Sequence, residues 1–309
     1  MTKRRQTMLL VLAPVALLLV GIGASGVMAA ETPDAKAVLK KVVEKYKAMP
    51  TYKSKGTATS DIDYNGHKLN QKTQFTIVLK KPDLYRITWN KSMSMSGIEQ
   101  TGAVWNDGTE RNLFLGLGPT KLCIKQKSDE MAIASATGIS DGAASIVPSL
   151  FLKGFKTEDS FISRIEDPKI EKTEKINGKE CYVIAGHSKH SKKEVLWVSK
   201  DDDLIMKYSR SLEPPEGQPL VPEMNDEEIT KTLKKMGREV TEENKQQMRD
   251  MMARAREMMK DTKISGTNSQ VYTEISSPEL DKKDFQYEVP EGTEYKESLM
   301  DALPGGGSF

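Results

Sequence analysis

Apolar and polar positions alternate with a period of two along most of this chain, most clearly in residues 172–208. Residues 179–185, 194–199 and 204–208 read there as three strands, with Asn177-Gly178 leading into the first and polar turns between them. Connections this short favour antiparallel neighbours over parallel crossovers. A second block has the same texture. Residues 53–63 and 68–79 read as strands around the hairpin turn Asn65-Gly66, and 84–90 follows Pro82-Asp83. Residues 102–105 and 113–117 flank a turn at 106–109, and 120–126 follows. Segments 270–276 and 283–290 return to the strand pattern near the end. Strands this continuous exclude a βαβ fold, in which helices would alternate with them.

Helical spacing enters at three places. Val38, Leu39, Val42, Val43 and Tyr46 recur three and four residues apart, with Thr32 or Asp34 as cap and Met49-Pro50 as stop. Its expected role is to cover one side of a sheet. Residues 128–155 are small and apolar, and predict helices over 130–136 and 143–151 with a break at Gly138. A weakly helical greasy segment beside a sheet is either a core plug or a lid over a cavity. Residues 223–263 predict a charged helical hairpin in which Met248, Met251, Met252, Ala255, Met258 and Met259 form a stripe. Such a stripe reads as ordinary core or as a soft, adaptable binding face.

The first 30 residues change the charge picture. Lys3, Arg4 and Arg5 precede an apolar run, and small residues around Ala29 and Ala30 precede Glu31, the layout of a signal peptide, with a retained anchor as the alternative. The formal net charge is +2 over the whole chain, and removing those three basic residues leaves −1. A nearly neutral mature protein has no compositional reason to bind nucleic acid. The expected division is a signal peptide over 1–30, one domain over 31–296 containing the 223–263 insertion, and a flexible tail over 297–309. Cys123 and Cys181, the two cysteines, both lie in strand-like runs. In an oxidising compartment they predict either a disulfide or two buried free thiols.

Motifs for chemistry are sparse. His67, His187 and His190 have no cysteine or carboxylate at zinc-site spacing, and no CxxC, GxSxG, HExxH or phosphate loop occurs. No cofactor or metal is expected and no enzyme class is indicated. The alternation does single out one surface. Phe75, Ile77 and Leu79 share a face of one strand, and Tyr85, Ile87 and Trp89 share a face of its hairpin neighbour. The six either line a hollow as a ligand wall or pack against the helix over 38–46 and leave none.

The order of these features resembles a known superfamily. After the helix and a Ser/Thr-rich first strand come Lys81-Pro82-Asp83-Leu84-Tyr85-Arg86-Ile87 and an Asp107-Gly108 turn. Ile176-Asn177-Gly178-Lys179, Val195-Leu196-Trp197-Val198 and Phe285-Gln286-Tyr287-Glu288-Val289-Pro290 follow a helical interruption. This order is similar to the periplasmic outer-membrane lipoprotein-sorting (LolA-like) superfamily, apart from the helical insertion. The resemblance implies a mainly β fold with α elements, a strongly curved antiparallel sheet of about eleven strands forming an unclosed barrel, and helices covering its concave side. It implies a periplasmic location, a lipid or acylated lipoprotein as partner, and a lid contact for Arg86. The corresponding expectation is a non-enzymatic exported protein that shelters an acyl chain in an apolar cavity. The alternative is an envelope protein-interaction or signalling module that uses the Met-rich hairpin.

Overall fold

The computed structural model describes residues 33–92, 99–155, 160–235 and 238–297. The expected signal peptide and all but the first residue of the expected tail lie outside them. Helix α1 (Ala35–Ala48) starts where the Asp34 carboxylate accepts the Ala37 N–H at 3.0 Å, and it buries Val38, Leu39, Val42 and Tyr46 as its spacing requires. The strands are β1 (Thr51–Tyr64), β2 (His67–Lys80), β3 (Leu84–Ser92), β4 (Glu99–Asn106), β5 (Arg111–Leu117), β6 (Thr120–Lys125), β7 (Glu166–Ile176), β8 (Lys179–Ser188), β9 (Ser191–Ser199), β10 (Ile205–Ser211), β11 (Ile264–Ser276) and β12 (Glu294–Lys296). Helices α2 (Asp129–Ile139) and α3 (Ile146–Phe151) lie between β6 and β7, and α4 (Asp226–Lys235) and α5 (Glu242–Met259) between β10 and β11.

All twelve strands form one sheet in the order β12-β6-β5-β4-β3-β2-β1-β11-β10-β9-β8-β7. Every pairing is antiparallel except β12 with β6. The end strands β12 and β7 do not pair with each other, so the sheet is open. Helix α1 packs on β7 and α3, while α2 packs on β4 and β5. Flat, β5 and β7 would stand nine strand spacings apart, about 43 Å, whereas three helices abreast span roughly 30–36 Å. The sheet therefore curls around its helices, and the main core lies on that concave side.

Two expectations about strands change. Strand β7 has the sequence EDPKIEKTEKI and is largely exposed, so it has no apolar alternation to betray it. It is an edge strand whose dense charge discourages pairing with another chain. The strand expected over 283–290 is instead a 3-10 turn (Lys282–Phe285) followed by extended chain, and the last ladder forms only at β12. The Asn-Gly turns behave as their chemistry dictates. Asn65 and Gly66 take φ of 51° and 86°, and Asn177 and Gly178 take 49° and 83°, the doubly left-handed geometry of tight hairpins.

Chain 280–291 lies on the convex face. Tyr287 and Val289 pack on Ala103, Trp105, Phe114 and Cys123, and Phe285 and Leu280 pack on Val78. Cys181 belongs to a different convex cluster with Val183, Trp197 and Met206. The expected Cys123–Cys181 disulfide is therefore corrected: both thiols are free, on strands nine places apart in the sheet order. Burial pushes the Cys123 thiol up to about 11, helped by the Glu110 carboxylate, and burial also raises that of Cys181. Neither thiol should react with an alkylating agent at neutral pH in the folded protein. Both should react once it is unfolded in denaturant without reductant, as mass spectrometry would show.

The helical insertion has its own small core of Ile229, Leu233 and Met248, with Met224 and Met252 against it. It departs from and returns to β10 and β11, which are already hydrogen-bonded neighbours. Replacing residues 226–260 by a short Gly/Ser bridge should leave a single cooperative unfolding transition. Loss of cooperativity in urea would show that the insertion belongs to the main core.

Candidate functional site

Alternation along β1 to β4 and β11 sends a set of side chains onto the concave face, and the antiparallel register aligns them in rows. One row is apolar: Phe75 stands opposite Trp89, Ile77 opposite Ile87, and Leu79 opposite Tyr85. All six residues expected to form a ligand wall are thus brought together, each at most 3% exposed. Two of the rings lie over glycines. A Cβ on Gly102 would come within 2.1 Å of the Trp89 ring, and one on Gly56 within 2.2 Å of the Phe75 ring. Phe75 also meets Tyr272 edge-on at 5.6 Å, and Tyr52 links Tyr46 of α1 to Phe151 of α3. Beneath the helices, the Trp89 indole N–H has no hydrogen-bond partner among the described residues.

A second row, nearer the other end of the strands, is polar. Gln100 faces Lys91, Lys91 faces Thr73, Thr73 faces Ala58, and Ala58 faces Gln270, across five adjacent strands. The turn between α2 and α3 sits on it. Lys91 Nζ lies 2.9 Å from Asp141 Oδ1, with both side chains about one-tenth exposed, and the Thr73 hydroxyl donates to Asp141 Oδ2 at 2.5 Å. Gln270 Nε2 and Asn268 Nδ2 point at the Asp141 carbonyl at 3.4 Å, and Gln100 Nε2 donates to the Ile139 carbonyl at 3.2 Å. Asp141 has φ of 50° and Gly142 of 86°, and a Cβ on Gly142 would stand 2.4 Å from Gln270 Nε2. A left-handed turn with a glycine is what lets the carboxylate and the carbonyl reach the sheet together.

This latch corrects the role expected of Arg86. Arg86 lies on the opposite side of β3, and its guanidinium donates at 2.7 Å to the Gln286 carbonyl, holding the convex C-terminal segment. Lys91, on the same face of β3 as Tyr85, Ile87 and Trp89, makes the contact to the covering helices. Its parity with those residues was available in the sequence. The partner was not, because Asp141 lies 50 positions away in a segment with no strand pattern.

Beside the latch is a cavity of about 280 Å³ bordered by Asp141, Phe161, Arg164, Glu194, Tyr208 and Arg210. The buried Tyr208 hydroxyl donates to Glu194 at 2.9 Å, and burial raises its pKa further than the adjacent carboxylate does. His190 on the same rim titrates lower than usual, first through burial and then through Lys189. Among the described residues, no group of three or more His, Cys, Asp or Glu is placed to hold a metal ion.

Residues 35–221 match the family described as "Predicted periplasmic protein (DUF2092)". The chain belongs to that family. Its members are predicted to be periplasmic, the destination expected from the sequence, and no described helix is long and apolar enough to cross a membrane. The match ends within the proline-rich segment before α4, so the helical insertion and β11 lie beyond it. No curated protein matches the chain. Solved structures similar to it include LprF from Mycobacterium bovis, with 7% identity, TM-score 0.42, and coverage of 81% of this chain and 96% of that one. Lipoprotein LppX from Mycobacterium tuberculosis has 9% identity, TM-score 0.39, and coverage of 79% and 98%. A LolA superfamily protein from Nitrosomonas europaea has 12% identity, TM-score 0.27, and coverage of 83% and 99%.

Removing one member of a buried ion pair strands the other, at a cost of about 3–5 kcal/mol, whereas removing both costs much less. Asp141→Asn keeps a residue that tolerates the left-handed turn. Urea unfolding should show Asp141→Asn and Lys91→Met each clearly destabilising. The double variant should recover at least half of the larger loss. Additive losses would mean that the two groups do not act as a pair.

Proposed function

We propose that this periplasmic protein is a non-enzymatic carrier or sensor that shelters a lipid or lipoprotein acyl chain against the concave face when α2 and α3 lift. The observation behind this reading is the polar latch between Asp141 and the sheet. A buried ion pair adds little net stability compared with apolar packing, and its best-attested use is to fix position or register. Here it locates a greasy, alanine-rich cover over an apolar aromatic surface. The cavity beside the latch, about 280 Å³, falls just short of the roughly 300–1,000 Å³ typical of ligand pockets. An acyl chain reaching the concave face beside the latch therefore needs the cover to move, after which each buried CH₂ contributes about 0.8 kcal/mol. The Trp89 indole N–H would then face ester or carboxyl oxygens.

A second reading has an observation of its own. Met251 and Met258 of α5 are 54% and 76% exposed, and the end of α5 forms a groove of about 730 Å³ with the proline-rich segment at 214–221. Adaptable methionines beside a groove suit an envelope protein partner.

Uptake of a fluorescent fatty acid separates the two. Wild type should bind it. Ile77→Glu should lose at least tenfold in affinity, because an unpaired charge on that face costs several kcal/mol. The Lys91→Met/Asp141→Asn double should take the probe up faster than wild type. Absence of binding by wild type, or unchanged binding by a folded Ile77→Glu, would remove the acyl-shelter reading and leave the hairpin reading.

A further inference from the structure

A second opening lies at the other end of the helical cover. The C-terminal half of α1, the end of α3 and the turn before β3 enclose a cleft of about 470 Å³. Its apolar lining includes Val43, Phe151 and Phe155, and three lysines, Lys47, Lys81 and Lys153, surround it. Its volume is within the range of ligand pockets.

Among the described residues, Lys81 is the one of these lysines whose ammonium has hydrogen-bond partners. The Lys81 ammonium donates to the carbonyls of Tyr46, at 3.0 Å, and Lys47, where α1 ends, and it lies 4.9 Å from the centre of the Phe151 ring. Its pKa is lowered, first by burial and then by the nearby Lys47 charge, so the two cations crowd each other. Lys47 and Lys153 are exposed, and no described carboxylate forms an ion pair with any of the three. The end of α1 contributes only about half a negative charge. Among the described lining residues, the charged side chains are these three lysines.

We propose that this cleft is the headgroup site for an anionic acyl lipid, its chain running over Val43, Phe151 and Phe155 and its acidic headgroup held by Lys47, Lys81 and Lys153. This rests on the acyl-shelter reading and specifies the class of lipid. A lysine can lay its methylene stem along an apolar lining and keep its ammonium at the water edge, the arrangement an amphiphile with an acidic head requires. An apolar floor without charge would take any acyl chain, and a cationic rim without a floor would take any anion. The combination selects one molecule that carries both.

The test compares two probes with the same acyl chain, palmitoyl-lysophosphatidylglycerol and palmitoyl-lysophosphatidylcholine, below their micelle concentrations, by calorimetry on the mature protein. The anionic probe should bind about tenfold tighter, with a preference that shrinks as salt rises. Lys47→Gln/Lys153→Gln should reduce the preference to under twofold while leaving the phosphatidylcholine affinity unchanged. Lys40→Gln/Lys41→Gln, on α1 but outside the lining, should keep it. Equal affinity for both probes in wild type would overturn the headgroup site while leaving acyl sheltering intact, and binding of neither would overturn both. Equal loss of preference in the two double variants would assign it to diffuse surface charge and overturn the site. Displacement of the anionic probe by inorganic phosphate alone, at matching concentrations, would show an anion site without a lipid and overturn the proposal as well.

Discussion

Asp141 must hold a charge on the inner face of a sheet, and the arrangement of the covering helices follows from how that charge is satisfied. Its carboxylate takes an ammonium from β3 and a hydroxyl from β2, and its carbonyl faces two amides from β11. Desolvating an ion pair is expensive, so the pair persists only because its remaining acceptors are filled by that row. Ala132, Ala136, Ala143 and Ala144 are fully buried and too small to interlock deeply with the sheet. The polar contacts locate the turn between the helices, and Ile133, Ile146, Val147, Leu150 and Phe151 supply the larger apolar contacts around it.

The two faces of the sheet are stabilised by different means. On the concave side, large rings lie over Gly56 and Gly102, so the surface beneath the cover is continuous and aromatic. On the convex side, the C-terminal segment is fastened by side chains that donate to its carbonyls: Lys80 to Leu280, Arg86 to Gln286, and Lys121 to Glu291. Tyr287 adds its ring to Trp105 and Phe114 at 5.1 and 5.5 Å. Strands β2 to β6 are thus braced from outside. On their inner side the same strands share the main core with the covering helices.

Charge is distributed to match. The latch is a single compensated pair deep on the concave face, whereas the cleft at α1 and α3 gathers three lysines at its edge. The helical insertion carries its own exposed ion pairs, such as Asp226 with Arg249 and Glu223 with Arg256, of the kind that water and salt screen. Its coherence comes instead from Ile229, Leu233 and Met248, which bury almost completely within the insertion. Its small core is distinct from the main one.

The sequence by itself determined whatever depends on neighbours within a few residues. Alternation marked most of the strands, Asn-Gly pairs marked the tight hairpins, three- and four-residue spacing marked α1 and α5, and parity put Phe75, Ile77, Leu79, Tyr85, Ile87 and Trp89 on one face. Strand β7 escaped because an exposed edge buries too little to leave an apolar period. Only the tertiary structure decided which distant groups meet. It placed Cys123 and Cys181 on strands far apart in the sheet, turned Arg86 outward to the C-terminal segment, and brought Asp141 to Lys91. Pairing across the sheet is fixed by strand order and by the path of long connections, and neither leaves a local imprint in the residues that end up in contact.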